Sequence, residues 1–144
     1  MKYLLDTNVV SELRKVKSGR ADAGVISWSR SVIDSDLYLS VLVVEELEMG
    51  TQLLERRNPE QGRILREWLE IYTLPAFADR IVNVDARVAR QCATLMVPNP
   101  RPLADALIAA TALVHNMTVV TRNTDDFKGM GVNLFNPWLR EIRS

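Results

Sequence analysis

The chain of 144 residues has one cysteine, Cys92, so no disulfide can form within it, and this usage suits a reducing cytosol. Val88, Ala89 and Leu95 around Cys92 give it the reading of a small core residue. There is also one histidine, His115. With a single member of each type, the usual Cys/His zinc sets cannot be assembled. His115, near an expected helix end beside Asn116, reads as a capping or dipole-stabilising residue rather than a catalytic base. No glycine-rich phosphate loop occurs, which argues against nucleoside triphosphate chemistry. No apolar run approaches the ~18 residues of a membrane span. The opening Met1-Lys2-Tyr3-Leu4-Leu5-Asp6 holds no apolar region long enough for a signal peptide. A cytoplasmic location without membrane association is therefore expected. A net charge is missing too: 18 basic residues balance 18 acidic ones. The chain is not built to hold nucleic acid by bulk charge alone, although a nucleic-acid substrate is not excluded. Basic residues cluster locally, as Arg14, Lys15, Lys17 and Arg20 and again as Arg56, Arg57, Arg63 and Arg66. Solvated helix faces are the plainest reading of both clusters.

The length suits one domain, residues 1–144, able to bury roughly 70% of its unfolded surface without a disulfide or structural metal. Short β-rich runs predict strands over Lys2–Leu5, Leu37–Ser40, Ile81–Val84, Thr118–Thr121 and, more weakly, Val132–Phe135. Helical patterns fill the gaps. They cover Ser11–Lys15, Ala23–Val32 with Asp22 as N-cap, Val41–Arg56, Pro59 to about Tyr72, and Ala86–Met96 with Asp85 as N-cap. A last helix runs from Pro102 to a stop at Asn116. Strands alternating with helices predict an α/β fold with a mainly parallel sheet covered on both faces. Ligands in such folds bind beyond the carboxyl ends of the strands.

Asp6 and Asn123 fall just past two of those strand ends. Glu46 has Leu42, Val43, Met49, Gly50 and Leu53 as helical neighbours, so the pattern points it at the core; snorkelling from the stripe's edge is the alternative. Glu45 and Glu48 lie off the stripe and read as solvated. Asp105 heads a helix whose small face, with Pro102, Ile108, Ala109 and Ala112, permits close packing on the sheet. The alternative is an acid that simply meets the helix dipole. Asp6 is equally readable as a turn residue or an N-cap for the Ser11 helix. Thr7 and Asn8 can hydrogen-bond its carboxylate or cap that helix. Asn123 has the same turn reading, and Asp125 and Asp126 are loop acids unless one enters the site. A cluster of half-buried acids costs several kcal/mol unless neutralised. The usual neutraliser of an oxygen-only set is Mg²⁺ or Mn²⁺. An aspartyl-phosphate phosphatase would place a second aspartate two positions after Asp6, where Asn8 stands.

These segments together resemble the PIN-domain family. They are Asp6-Thr7-Asn8, Glu46-Leu47, Asp105 with Ile108-Ala109-Ala110-Thr111-Ala112, and Thr121-Arg122-Asn123-Thr124-Asp125-Asp126-Phe127. The order is right along the whole chain. Leu74-Pro75-Ala76-Phe77 and Phe135-Asn136-Pro137-Trp138 look like the FitB-like branch of its VapC-type toxins. The resemblance implies a three-layer α/β/α sandwich and a Mg²⁺- or Mn²⁺-dependent endoribonuclease. Its acidic pocket would be built from Asp6, Glu46, Asp105 and the Asn123 position. It also implies a homodimer inhibited by a small antitoxin, which pairs a DNA-binding half with a tail that wraps the toxin. In several relatives a basic side chain of that tail enters the acidic pocket. Many relatives carry aspartate at the Asn123 position. A carboxamide keeps an oxygen ligand but no charge, so a second metal would be weaker here unless Asp125 or Asp126 supplies it.

On this expectation Asp6 and Asp105 hold the main metal, Glu46 coordinates it or orients its water, and Asn123 positions a ligand water or second ion. Thr7, Asn8 and Thr121 support the acids, and Arg122, or a residue of the basic segments, contacts the RNA backbone, with Arg122 the better placed in sequence. One alternative is a non-cleaving PIN-fold module that binds RNA or protein. Another is a phosphoryl-accepting receiver domain, which would want two adjacent acids after the first strand and a lysine after the last. Trp28, Trp68, Phe77 and Trp138 are candidate interface aromatics, with completion of the core preferred for at least two of them.

Overall fold

The computed structural model describes residues 1–139; the last positions of the expected 1–144 domain lie outside them. Three short apolar runs form the middle of a sheet, β1 (Tyr3–Leu5), β2 (Leu37–Ser40) and β4 (Thr118–Val120). Two-residue strands, β3 (Ile81–Val82) and β5 (Leu134–Phe135), flank them. The order is β3-β2-β1-β4-β5, and every pair is parallel. Leu4, Leu5, Leu39, Val119 and Val120 are fully buried, as continuous apolar runs must be when helices cover both faces. Each such side chain contributes about 1.5–3 kcal/mol. The order reverses between β1 and β4, where the chain runs outward in opposite directions, and a cleft forms at the strands' carboxyl ends.

The helices are α1 (Thr7–Leu13), α2 (Ala23–Ser31), α3 (Val41–Arg57) and α4 (Pro59–Glu67). A π-helical turn (Trp68–Thr73) and the single-turn α5 (Leu74–Ala76) follow, then α6 (Ala86–Met96) and α7 (Leu103–His115). The expected helix from Pro59 to Tyr72 thus changes to wider turns at Trp68. Asp22 caps α2 through Val25 N–H at 3.1 Å, and Asp85 caps α6 through Val88 N–H at 3.0 Å. Asn116 ends α7 in the left-handed conformation, with φ of 55°. Two expectations need correction. The first helix begins at Thr7, not Ser11, because the Asp6 carboxylate accepts the Thr7 N–H and caps it directly. On α3 the buried stripe is Val43, Leu47 and Thr51, whereas Met49 and Leu53 are 55% and 58% exposed. The stripe assigned from sequence is therefore displaced by about one position, and Glu46 sits at the edge of the covered face.

Trp28 is in the core, edge-on to Tyr3 at 5.6 Å; Trp68, Phe77 and Trp138 pack against that core from partly exposed positions. Gly62 lets α4 approach α3 closely, since a Cβ there would run into the Glu55 backbone. Among the described residues no helix is long and apolar enough to cross a membrane.

Candidate active site

β1 delivers Asp6 to the cleft and the sheet ladder fixes its backbone, since its N–H donates to Val120 O at 2.9 Å. Its Oδ1 accepts the Thr7 N–H at 2.9 Å, and its Oδ2 accepts the Thr121 hydroxyl at 2.8 Å. The carboxylate is thus both an N-cap, worth about 1 kcal/mol, and a locked ligand with lone pairs still free. Thr7 links the next acid, donating its hydroxyl to Glu46 Oε1 at 3.0 Å. Thr121 is fully buried and joins several groups. While donating to Asp6, its oxygen accepts the Asn123 N–H at 3.0 Å and the Asn8 amide at 3.4 Å. Asn8 Oδ1 in turn accepts the Arg122 N–H at 3.1 Å. Thr7, Asn8 and Thr121 therefore tie the ends of β1 and β4 together around Asp6.

Asp105 enters from the first turn of α7. Ala106, Ile108, Ala109, Ala110, Thr111 and Ala112 are all buried, so the small residues do seat this helix tightly. The Asp105 carboxyl is raised above its ordinary range, first by burial and then by the charges of Asp126, Asp6 and Glu46. Glu46 is raised as well, mainly by burial, with Asp6 and Glu45 adding to the rise and the Thr7 hydrogen bond opposing it. The three acids expected from sequence thus share one electrostatic environment.

Asp126 is the loop acid whose charge reaches Asp105 and raises its carboxyl. It sits on the 3₁₀ turn Thr124–Phe127, which Phe127 anchors at 1% exposure. An acid directly before a buried aromatic was the available sequence signal. Asp125 and Asp126 are both exposed, and only Asp126 is among the charges that raise Asp105. Asn123 stays at the rim: exposed, held through its backbone, with no side-chain hydrogen bond among the described residues. Arg122 is fixed beside it. Asn136 donates to Arg122 O at 3.2 Å, and the guanidinium lies 5.3 Å from the Trp138 ring centre.

No lysine or arginine forms an ion pair with Asp6, Glu46, Asp105 or Asp126 among the described residues. Four carboxylates without a counter-cation, all oxygen donors, match the chemistry of a hard divalent ion. They do not form a ready-made cage: among the described residues no three His, Cys, Asp or Glu side chains come together closely enough to chelate directly.

An acidic cleft at the switch point of a fully parallel sheet with helices on both sides is the arrangement of the PIN domain family. The chain belongs to that family, matching it over residues 3–133. It is 42% identical to the toxin FitB of Neisseria gonorrhoeae, over 94% of this chain and 97% of that protein. It is 38% identical to the VapC ribonuclease Y4jK of Sinorhizobium fredii, over 94% and 96% respectively. The solved structure of FitAcB from Neisseria gonorrhoeae superposes with a TM-score of 0.85 at 39% identity, covering 96% of this chain and 99% of that one.

Proposed function

We propose that this protein is the toxin of a toxin–antitoxin pair and acts as a divalent-metal-dependent endoribonuclease. The observation that carries the reading is that Asp6, Glu46 and Asp126 all bear electrostatically on Asp105, with no ion-pair partner for any of the four among the described residues. The similarity to a named toxin and a named ribonuclease over nearly the whole chain supports the activity.

Bound Mg²⁺ or Mn²⁺ would lower the pKa of a water and stabilise charge on the phosphate oxygens during in-line attack. Asp6 and Asp105 would hold the ion. Asp6 is the pre-set ligand because Thr7 and Thr121 fix both its oxygens. Glu46, oriented by the Thr7 hydroxyl, is placed to accept a proton from the attacking water or to orient it. Asp126 supplies the negative charge that Asn123 lacks, and Asn123 would offer a carboxamide oxygen at the rim. Arg122, without an ion-pair partner among the described residues, would take an RNA phosphate. The product would carry a 5′-phosphate.

A cognate antitoxin, itself DNA-binding, is the inhibitory partner that follows from the toxin reading. A cationic side chain from it entering the carboxylate cluster would supply the missing counter-charge. The toxin reading also carries a homodimer and a cytoplasmic site of action.

The test incubates purified protein with structured RNA in Mn²⁺ and in chelator. Cleavage in Mn²⁺ that chelator stops, with 5′-phosphate ends, is the expected result. RNA binding without cleavage under either condition would instead establish the non-cleaving module.

A further inference from the structure

We propose that the trough running from Glu46 along α1 to Tyr72 carries an unpaired RNA strand, its cations taking backbone phosphates and Tyr72 stacking on a base. The proposal rests on the ribonuclease reading and adds where the substrate lies. The acidic centre repels phosphates, and the chain has no net charge, with 18 basic and 18 acidic residues. Attraction for a polyanion must therefore come from cations gathered locally beside the centre.

Such cations border three neighbouring cavities that share Arg14 and Trp68, between apolar side chains such as Leu47, Leu54 and Leu65. A cavity of about 340 Å³ has Thr7 and Glu46 on its wall together with Arg14, Arg57 and Trp68. Arg14 and Trp68 also border a cavity of about 490 Å³ that reaches Arg20 and Tyr72. A third, of about 310 Å³, adds Lys17 between Arg14 and Tyr72. The cation-rich segment from Arg14 to Arg20 is therefore one side of a channel leading from the carboxylates, more than a solvated face.

The available charge is larger than the local composition suggests. Lys15 is held by Glu12 at 3.2 Å, but Arg14, Lys17, Arg20 and Arg57 have no carboxylate partner among the described residues. Glu67 is the opposing acid on the larger cavity. Arg14 is steadied 5.7 Å from the Trp68 ring centre, which aims a cation without neutralising it. Tyr72 is 59% exposed, with no ring or hydrogen-bond partner among the described residues. Cations that track a backbone, next to an open aromatic face, form the recognition pattern of single-stranded nucleic acid. The unpaired state follows because only an unstacked base can lie on a protein ring.

The experiment measures binding of a labelled unpaired 12-nucleotide RNA across a salt series, with cleavage kinetics alongside. The variants are Tyr72→Ala, Tyr72→Phe and the triple Arg14→Gln, Lys17→Gln, Arg20→Gln; Arg63→Gln, an exposed cation off the trough, is the control. Tyr72→Ala should weaken binding about five-fold or more and raise KM with kcat nearly kept, and Tyr72→Phe should restore both. The triple variant should flatten the slope of log affinity against log salt by about 0.7 per cation removed, about 2 in all. Arg63→Gln should match the unaltered protein. Unchanged RNA affinity and salt slope in both Tyr72→Ala and the triple variant would overturn the proposal. So would variants that keep RNA affinity but lose binding of an acidic peptide, which would make the trough a protein dock. Absence of cleavage by the unaltered protein would count against the ribonuclease reading alone, because the binding measurements decide the trough independently.

Discussion

Glu46 and Glu48 lie two positions apart on α3 and stand in opposite electrostatic settings. Glu46 joins Asp6, Asp105 and Asp126 at the strand ends, where no cation among the described residues pairs with any of them, and its carboxyl is raised. Glu48 joins Glu55 and Glu70 around Arg66, which bridges α3, α4 and the turn after it with contacts of 2.8, 2.8 and 3.2 Å. There the guanidinium holds Glu48 down at about 2 and lowers Glu55 too. Both regions collect acids. One completes its charge balance with an arginine and fastens two helices. The other leaves it incomplete, which costs folding energy and creates a demand for an outside cation. A carboxylate cluster signals function when the protein supplies no partner for it.

The largest expected effect breaks the unpaired cluster. Asp6→Ala or Asp105→Ala should lower the rate of RNA cleavage in Mn²⁺ by about 10³-fold or more, with cooperative melting retained. Single-turnover cleavage is the measurement, and full activity of Asp6→Ala would sink the assignment.

Thr121→Val removes only a support, the hydroxyl that holds Asp6 Oδ2 at 2.8 Å. A loss of about 10–100-fold in activity or metal affinity is expected, recovered by Thr121→Ser. Equal activity in Thr121→Val would leave the threonine a purely structural role.

Asp105→Asn sharpens the contrast in stability. The Asp105 carboxyl is raised above its ordinary 3.8, so its contribution is fully present below that value and is lost as pH rises through the folded-state pKa. In chelator at neutral pH the variant should therefore melt above the unaltered protein. The gap should close below pH 3.8, where the carboxyl is protonated in both the folded and the unfolded chain. Divalent metal should narrow it from the other side by stabilising only the aspartate form. A variant that melts lower at every pH would show that Asp105 is not under repulsion.

The smallest effect concerns the paired cluster. Glu48 has a lowered carboxyl, so its stabilisation is present above its ordinary 4.5 and is lost as pH falls toward about 2. Arg66→Ala should reduce stability at neutral pH and flatten the decline over that acid window. The pairs are half exposed, so salt should blunt the difference. Denaturant midpoints from pH 7 to 2 provide the check, and identical profiles would show that the clamp adds nothing.

Much of the fold was legible in local chemistry. Asp85 and Asp22 cap α6 and α2, Asn116 ends α7, and Leu37–Ser40 forms a strand, because capping and β-propensity act within a few residues. Asp6 and Asp105 were legible as site candidates from their places, one just after a strand and one in the first turn of a tightly packed helix. Glu46 was proposed as a site residue on a partly mistaken stripe. Its expected stripe leaves Met49 and Leu53 exposed, and the residue reaches the site from the edge of the helix face. Glu48 looked solvated because its partner Arg66 lies on the next helix, and the contact depends on how closely Gly62 lets α4 approach. Asp125 and Asp126 were indistinguishable until Phe127 fixed the turn that separates them.

The amino-acid order by itself determined the parallel α/β architecture, the helix caps, the want of any Cys/His metal set and the identity of most acids in the cleft. Those follow from hydrophobic periodicity, capping and inventory, which act over short stretches of chain. Only the tertiary structure decided which carboxylates have a cation among the described residues and which do not. Charge interactions depend on separation and burial in space, and the sheet order that sets them brings residue 6 beside residue 121 while one helix carries neighbouring glutamates into opposite surroundings.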